Sequence, residues 1–255
     1  MPAIDLNADL GENAPDRVVA DDEAMLGIVT SANVSCGFHA GTPAGIRRTL
    51  AEAARRGVAI GAHPGYRDPE GFGRRPQDVP PERLQAETEY QLGALMGLAT
   101  AVGARVRYLK PHGALYSAIH TDRRAAAAVA AAVRAIDDGL VLLCAPGSAA
   151  LQAAARAGLA AAREAFADRA YRPDGSLVPR SQPGALLHEP RRIAERMLEL
   201  VRHGTIEAID GSRIRLPADS ICVHGDDPRA VEIAAGVRRA LRAAEVRLEP
   251  FAATG

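Results

Sequence analysis

The chain has 255 residues, 47% of them hydrophobic, enough to bury a full core without disulfides or an obligatory partner. Lysine plus arginine and aspartate plus glutamate each total 31, so the formal net charge is zero, and no basic stripe points to nucleic acid or an anionic membrane surface. The three cysteines, Cys36, Cys144 and Cys222, sit in or beside apolar runs without CxxC spacing, which reads as reduced, buried thiols in a cytoplasmic protein.

The N-terminus opens directly into Ala3-Ile4-Asp5-Leu6, with no basic and apolar leader ahead of it. No run of about 18 residues is apolar enough to span a bilayer, so no membrane role is expected. Strand-like runs fall at residues 4–9, 32–36, 58–62, 106–109, 140–144 and 220–223, and several are separated by segments of helical periodicity. Thr42 and Pro43 form an N-cap and first-turn pair; Ile46, Leu50 and Ala54 share a face, and Gly57 closes that helix. Pro80-Pro81 opens a second helix, whose spacing continues through Leu84, Leu92, Leu95, Ala99 and Val102. Residues 122–136 give an alanine-rich third, and residues 190–201 a fourth with Ile193, Met197, Leu200 and Val201 on one side. The last helix follows Asp226-Asp227-Pro228, an expected cap and first-turn pair, with Val231, Ala234, Val237 and Leu241 inward.

Residues 206–216 break this rhythm, alternating apolar positions about Asp210-Gly211, and are expected to form a peripheral hairpin. Six to eight βα units in one domain, residues 1–255, predict an α/β fold: a distorted or incomplete (β/α) barrel rather than an open sheet, since no GxGxxG or Walker sequence follows an early strand. Such a fold gathers its strand-end loops at one face, and here four of those loops carry acids, bases and glycines.

Alternation puts Asp5, Asn7 and Asp9 on one face of the first strand, where three inward polar groups form the floor of a site together with Glu12 at the turn. His39 and His63 each follow a strand and each lie beside glycines. Asp9, His39 and His63 supply an N/N/O set suited to a divalent metal, or equally to acid/base work. Lys110-Pro111-His112-Gly113 holds the only lysine of an arginine-rich chain at a strand end beside a histidine, a pairing suited to a developing oxyanion and a proton shuttle. Glu164, Asp168, Arg169 and Arg180 lie in or near a long polar loop, where the arginines either clamp an anion or pair on the surface; Arg74 and Arg75 carry the same two readings. His224-Gly225-Asp226 ends the last strand, with a site role for His224 and a capping role for Asp227. A nucleophilic Cys36 is disfavoured beside His39, because adjacent strand residues point to opposite faces. His120, His188 and His203 have no such setting and read as surface residues.

Seven segments in this order resemble the LamB/YcsF family, the A subunits of prokaryotic 5-oxoprolinases. They are Asp5-Leu6-Asn7-Ala8-Asp9-Leu10-Gly11-Glu12, Ser31 to Gly41, Gly61-Ala62-His63-Pro64-Gly65-Tyr66, Gly71-Phe72-Gly73-Arg74-Arg75, Lys110 to Tyr116, Phe166-Ala167-Asp168-Arg169 and Cys222-Val223-His224-Gly225-Asp226. Small departures occur at Ala8, Thr42 and Ser117, and none removes an ionisable site residue. The resemblance implies a glycoside hydrolase/deacetylase-like barrel and ATP-dependent opening of 5-oxoproline to L-glutamate, with further subunits B and C. ATP, with Mg2+ and shared with those partners, is the implied cofactor, and a divalent metal at Asp9, His39 and His63 is a second candidate. Asp9, His39, His63, Lys110 and His112 are then the expected catalytic residues, and Asn7, Glu12, Arg169, Arg180, His224 and Asp226 the expected substrate-binding ones. A stand-alone metal-dependent amidase or deacetylase is the alternative enzyme. A subunit that merely scaffolds partners poorly explains so many polar strand ends.

Overall fold

The computed structural model describes residues 2–252. Strand β1 (Ala3–Leu10) is buried at every position after Ala3, as a parallel strand covered on both faces must be. Ile4, Leu6, Ala8 and Leu10 enter the main apolar core, while Asp5, Asn7 and Asp9 point to other strands' polar side chains inside the barrel. The chain continues through α1 (Asp22–Leu26), β2 (Ser31–Ser35) and α2 (Pro43–Arg55). Thr42 caps α2 by accepting from the Gly45 amide, and Pro43 occupies the first turn, as the sequence predicts. Then follow β3 (Ala59–His63), α3 (Pro81–Ala101), β4 (Val106–Leu109), α4 (Gly113–Thr121), α5 (Arg123–Ile136) and β5 (Val141–Cys144). The last third contains α6 (Ala149–Ala157), β6 (Ala161–Phe166), α7 (Pro190–His203), β7 (Thr205–Glu207), β8 (Arg213–Arg215), β9 (Ser220–Val223), α8 (Ala230–Ala243) and β10 (Arg247–Leu248).

Strands β1 to β6 pair in sequence order, β9 follows β6, and β9 also pairs with β1, closing a seven-stranded parallel barrel. Strand β10 pairs with β1 only at Ala3 and Ile4, and Phe251 beyond it packs on Tyr108 inside the barrel, ring centroids 4.8 Å apart. The expected hairpin is present as the antiparallel pair β7–β8, outside the barrel.

Three features differ from the sequence expectation. Strand β6 reads poorly as a strand because Ala161, Ala162, Arg163 and Glu164 lack β propensity; it forms because β5 and β9 pair with it on both sides. Helices α1, α4 and α6 occupy segments to which no element is assigned from the sequence, α4 starting directly at the Gly113 of the lysine motif. The last helix begins at Ala230, and Asp227 is not its cap: its carboxylate accepts the Arg229 amide in the turn ahead of the helix. Among the described residues, no helix is long and apolar enough to cross a membrane.

Candidate active site

The polar interior begins at the N-terminal end of the barrel. Asp5 accepts from Thr30 and Ser31, both at 2.6 Å, and from Ser220. Above it, the Asn7 amide donates to Ser220 Oγ at 2.7 Å and to Glu164 Oε1 at 3.0 Å, while its oxygen accepts from Asn33 at 2.6 Å. Asn33 also donates to Asp9 Oδ1 at 2.8 Å and accepts from the Tyr108 hydroxyl at 2.7 Å. Tyr108 fits because Gly61 faces it: a Cβ there would overlap the ring. This network fixes Asp9 and Asn7 before any ligand arrives.

Lys110 crowns the network with only 1% of its surface exposed. Its Nζ lies 2.9 Å from Asp9 Oδ1, 3.0 Å from Glu164 Oε1 and 3.1 Å from Cys222 Sγ. Burial alone would drive the amine down, but Asp9, Cys222 and Glu164 hold it well above its ordinary value, so it is a fixed ammonium. Reciprocally, burial would raise Asp9, yet His63 and Lys110 hold it well below the carboxylate range. A charged acid and a charged base thus sit side by side at the strand ends.

Three histidines from separate strand ends stack beside them. His39 and His112 lie face to face, centroids 3.9 Å apart and planes 3° from parallel, and His63 stands at 87° to His112. Gly65 and Gly73 make this possible: a Cβ on Gly65 would lie 2.8 Å from His39 Nδ1, and one on Gly73 2.9 Å from His112 Cδ2. His63 Nδ1 donates to the Lys110 carbonyl at 2.7 Å, and His112 Nε2 to the Phe72 carbonyl at 2.8 Å. Phe72 holds that carbonyl in place from a left-handed backbone with φ 55°. His39 Nε2 donates to Glu12 Oε1 at 3.0 Å, leaving a buried Nδ1 without a partner. Burial, with His39 and His63 close by, drives His112 well below its ordinary value, and burial also lowers His39. Glu12, His39, His63 and His112 each bring one donor atom within 4.8 Å of the others.

A cleft of about 570 Å3 opens over this floor, lined by Asp9, His63, Lys110 and His112 and, opposite, by Phe166, Arg169, Arg180 and His224. The buried Asp168 carboxylate meets His224 Nδ1 with both oxygens, at 3.0 and 2.9 Å, and the imidazole stacks on Phe166. Burial would raise Asp168, but the His224 ring beside it holds it below its ordinary value. Arg169 donates to the Val178 carbonyl at 2.6 Å while its buried Nε has no partner, and burial with Arg180 near it pushes the guanidinium down to about 10. Arg74 and Arg180 share Asp226 Oδ2, at 2.7 and 3.4 Å. This wall carries more cation than anion and suits an acidic ligand.

The expected residues therefore gather in one region, but in two tiers. Asp9, His63, Lys110, His112, Arg169, Arg180 and His224 line the cleft; Asn7 contacts Lys110, Glu12 and His39 contact His112, and Asp226 pairs with Arg74 and Arg180, so these four support residues that do. The anticipated Asp9, His39 and His63 trio is not the compact donor group: Glu12 and His112 join the two histidines there, whereas Asp9 Oδ1 is committed to Lys110. Arg75 pairs with Asp68, and His188 with Asp227 at the surface. Cys36 is half-buried rather than buried as expected, and desolvation pushes its thiol up to about 12, which disfavours a nucleophilic role. Sequence reading overlooked Asn33, Tyr108 and Ser220, which look like ordinary strand residues; their placement two residues apart from other inward polar positions was the available signal.

Residues 4–255 match the profile of the LamB/YcsF family. The chain belongs to that family. Among its LamB/YcsF relatives, a 5-oxoprolinase A subunit from Pseudomonas syringae pv. tomato, the one numbered 3, is 59% identical over 252 residues, covering 99% of this chain and 98% of that protein. The 5-oxoprolinase A subunit of Paracidovorax citrulli is 59% identical over 98% of this chain and 99% of its own. In structure, the chain is similar to a lactam utilization protein from Thermus thermophilus, with TM-score 0.92 and 43% identity, covering 98% of this chain and 100% of that one. The catalytic domain of a peptidoglycan N-acetylglucosamine deacetylase from Eubacterium rectale aligns with TM-score 0.53 at 9% identity, covering 99% and 90% of the two chains; it shares the fold alone.

Proposed function

We propose that this chain is the A subunit of an ATP-dependent 5-oxoprolinase, opening the lactam of 5-oxoproline to L-glutamate with subunits B and C, with which it shares ATP and Mg2+. The observation that carries the reading is the Lys110 ammonium held between Asp9 and Glu164 on the floor of a cleft whose far wall is cationic. A stable cyclic amide needs that combination: charge stabilisation at the carbonyl oxygen, a base for water and an acid for the leaving nitrogen. The names of the relatives above support the choice of lactam.

In this reading, Arg169 and Arg180 take the substrate carboxylate, the buried unpaired Nε of Arg169 supplying a donor with no internal competitor. The γ-phosphoryl group of ATP passes to the lactam oxygen as ADP leaves, and Lys110 stabilises the negative charge on that oxygen and its phosphoryl group. Asp9 is ionised and takes the proton of the attacking water. The ring C–N bond breaks as His224, oriented by Asp168, hands a proton to the nitrogen. Ring opening leaves a γ-glutamyl phosphate, and its hydrolysis by a second water releases phosphate and the γ-carboxylate and α-amine of glutamate.

The test is to combine the purified chain with its B and C subunits, 5-oxoproline and ATP, and to follow glutamate and ADP while omitting each component in turn. The two products are expected in equal amounts and only in the full mixture. Absence of glutamate with all three subunits folded overturns the assignment.

A further inference from the structure

We infer that His63 Nε2, His112 Nδ1 and Glu12 Oε1 form a binding site for one divalent transition-metal ion of the zinc class, with His39 outside the ligand set. Hydrogen bonds decide this. His63 spends Nδ1–H on the Lys110 carbonyl and His112 spends Nε2–H on the Phe72 carbonyl, because a carbonyl can only accept. In the neutral rings the remaining nitrogens both hold lone pairs, and those two atoms face each other at 3.0 Å. Glu12 Oε1 lies 3.5 Å from His112 Nδ1 and within 4.8 Å of the His63 donor atom, so a carboxylate oxygen joins the two lone pairs. Three acceptors converging in a buried place favour a positive centre between them, which a divalent ion supplies.

The same geometry sets His39 aside. Its ring is parallel to His112 within 3° at a 3.9 Å centroid separation, so an ion in the plane of His112 lies out of the plane of His39 and off its lone-pair directions. His39 instead donates Nε2–H to Glu12 and fixes that carboxylate, as outer-shell partners of metal ligands do. Two imidazoles and one carboxylate select zinc, cobalt or nickel over magnesium or calcium. His63 and His112 both line the cleft, which leaves the cleft side for a fourth ligand. The arrangement was out of reach of spacing rules because its three donors come from three strand ends. This inference goes beyond the proposed reaction and does not depend on which amide is cleaved.

The experiment uses the full chain after dialysis against a chelator, titrated calorimetrically with Zn2+, Co2+ and Mg2+ in turn. One Zn2+ or Co2+ per chain is expected, with visible Co2+ absorption bands, and no Mg2+ uptake. His63→Ala, His112→Ala and Glu12→Gln should each weaken Zn2+ by more than about 100-fold, while His39→Gln should stay within the about 10–100-fold typical of an outer-shell loss. His188→Ala, at a surface histidine, should leave binding unchanged. Should a ligand variant fail to fold, nitrogen-15 spectra of the wild-type histidines decide: Zn2+ must shift His63 Nε2 and His112 Nδ1 and spare the His39 nitrogens. No stoichiometric uptake, uptake indifferent to His63 and His112, or direct shifts at His39 would overturn the site. Because binding is read without turnover, its failure is separable from failure of the 5-oxoprolinase assignment.

Discussion

Lys110 and Glu164 face each other inside the barrel, Nζ to Oε1 at 3.0 Å, with Asp9 on the other side of the ammonium at 2.9 Å. One cation therefore compensates two buried carboxylates. Removing it strands both acids in the interior without the ammonium between them, which is the costly way to break a buried ion pair. Lys110→Met is expected to lower stability by about 3–5 kcal/mol as well as abolish turnover. Adding Glu164→Gln should return part of the stability and none of the activity. Urea unfolding of the single and double variants checks this; a double variant no more stable than the single would contradict the compensation.

Asp5 lies at the opposite end of the same network and carries a stability signature of the opposite sign. Burial pushes it up to about 6 from the 3.8 of a free carboxyl, although hydrogen bonds from Ser220, Ser31 and Thr30 hold it down. The native state thus keeps this proton when the unfolded chain has lost it, so stability falls as pH rises from about 3.8 to about 6 and is flat above. Asp5→Asn has no such loss. Relative to the wild type, it should gain about 3 kcal/mol across that interval. Paired unfolding curves at several pH values measure the difference, and a pH-independent gap would rule the effect out.

Much of this was legible in the sequence, for reasons specific to particular residues. The period-two placement of Asp5, Asn7 and Asp9 in β1 announced a polar barrel interior, and the isolated Lys110 marked its centre. The Thr42–Pro43 start and the Asp210-Gly211 hairpin followed from local chemistry alone. What stayed hidden depends on closure of the barrel. Strand β6 owes its conformation to its two neighbours, and Glu164 reaches Lys110 only once β6 lies between β5 and β9. Likewise, nothing local tells that His112 stacks on His39 rather than His63, since glycines on two other loops decide it.

Gly65 offers a purely steric test of the histidine stack, because its backbone is not in the left-handed region that favours glycine. A methyl group there would sit 2.8 Å from His39 Nδ1 and 3.4 Å from the His112 Cβ. Neither ring can retreat, since Phe72 lies edge-on against both. Gly65→Ala is expected to lower stability by about 1–3 kcal/mol through overpacking and to reduce turnover by more than that loss of folded protein explains. Thermal unfolding together with activity per folded molecule separates the two. A variant with native stability would mean that the stack yields easily.

The Asp168–His224 pair and Arg180 occupy the same wall of the cleft but should fail in different ways when altered. Asp168 orients His224 through Nδ1 and the ring lines the cleft, which is the geometry the proposed proton transfer needs. Asp168→Asn keeps the shape and removes the charge that holds the imidazole, and is expected to lower kcat by about 10²–10⁴-fold with KM nearly unchanged. If Arg180 binds the substrate carboxylate as proposed, Arg180→Ala should raise KM by about 10–100-fold while sparing kcat, the size expected for a charge-assisted hydrogen bond. Asp226, which shares its oxygen between Arg74 and Arg180, adds a control: Asp226→Asn frees both guanidiniums and should lower KM or leave it unchanged. Steady-state kinetics of the three variants in the complete mixture of subunits distinguishes the roles. A fall in kcat for Arg180→Ala with KM intact would place the arginine at the reacting atoms instead, and an unaltered kcat for Asp168→Asn would remove His224 as the proton donor.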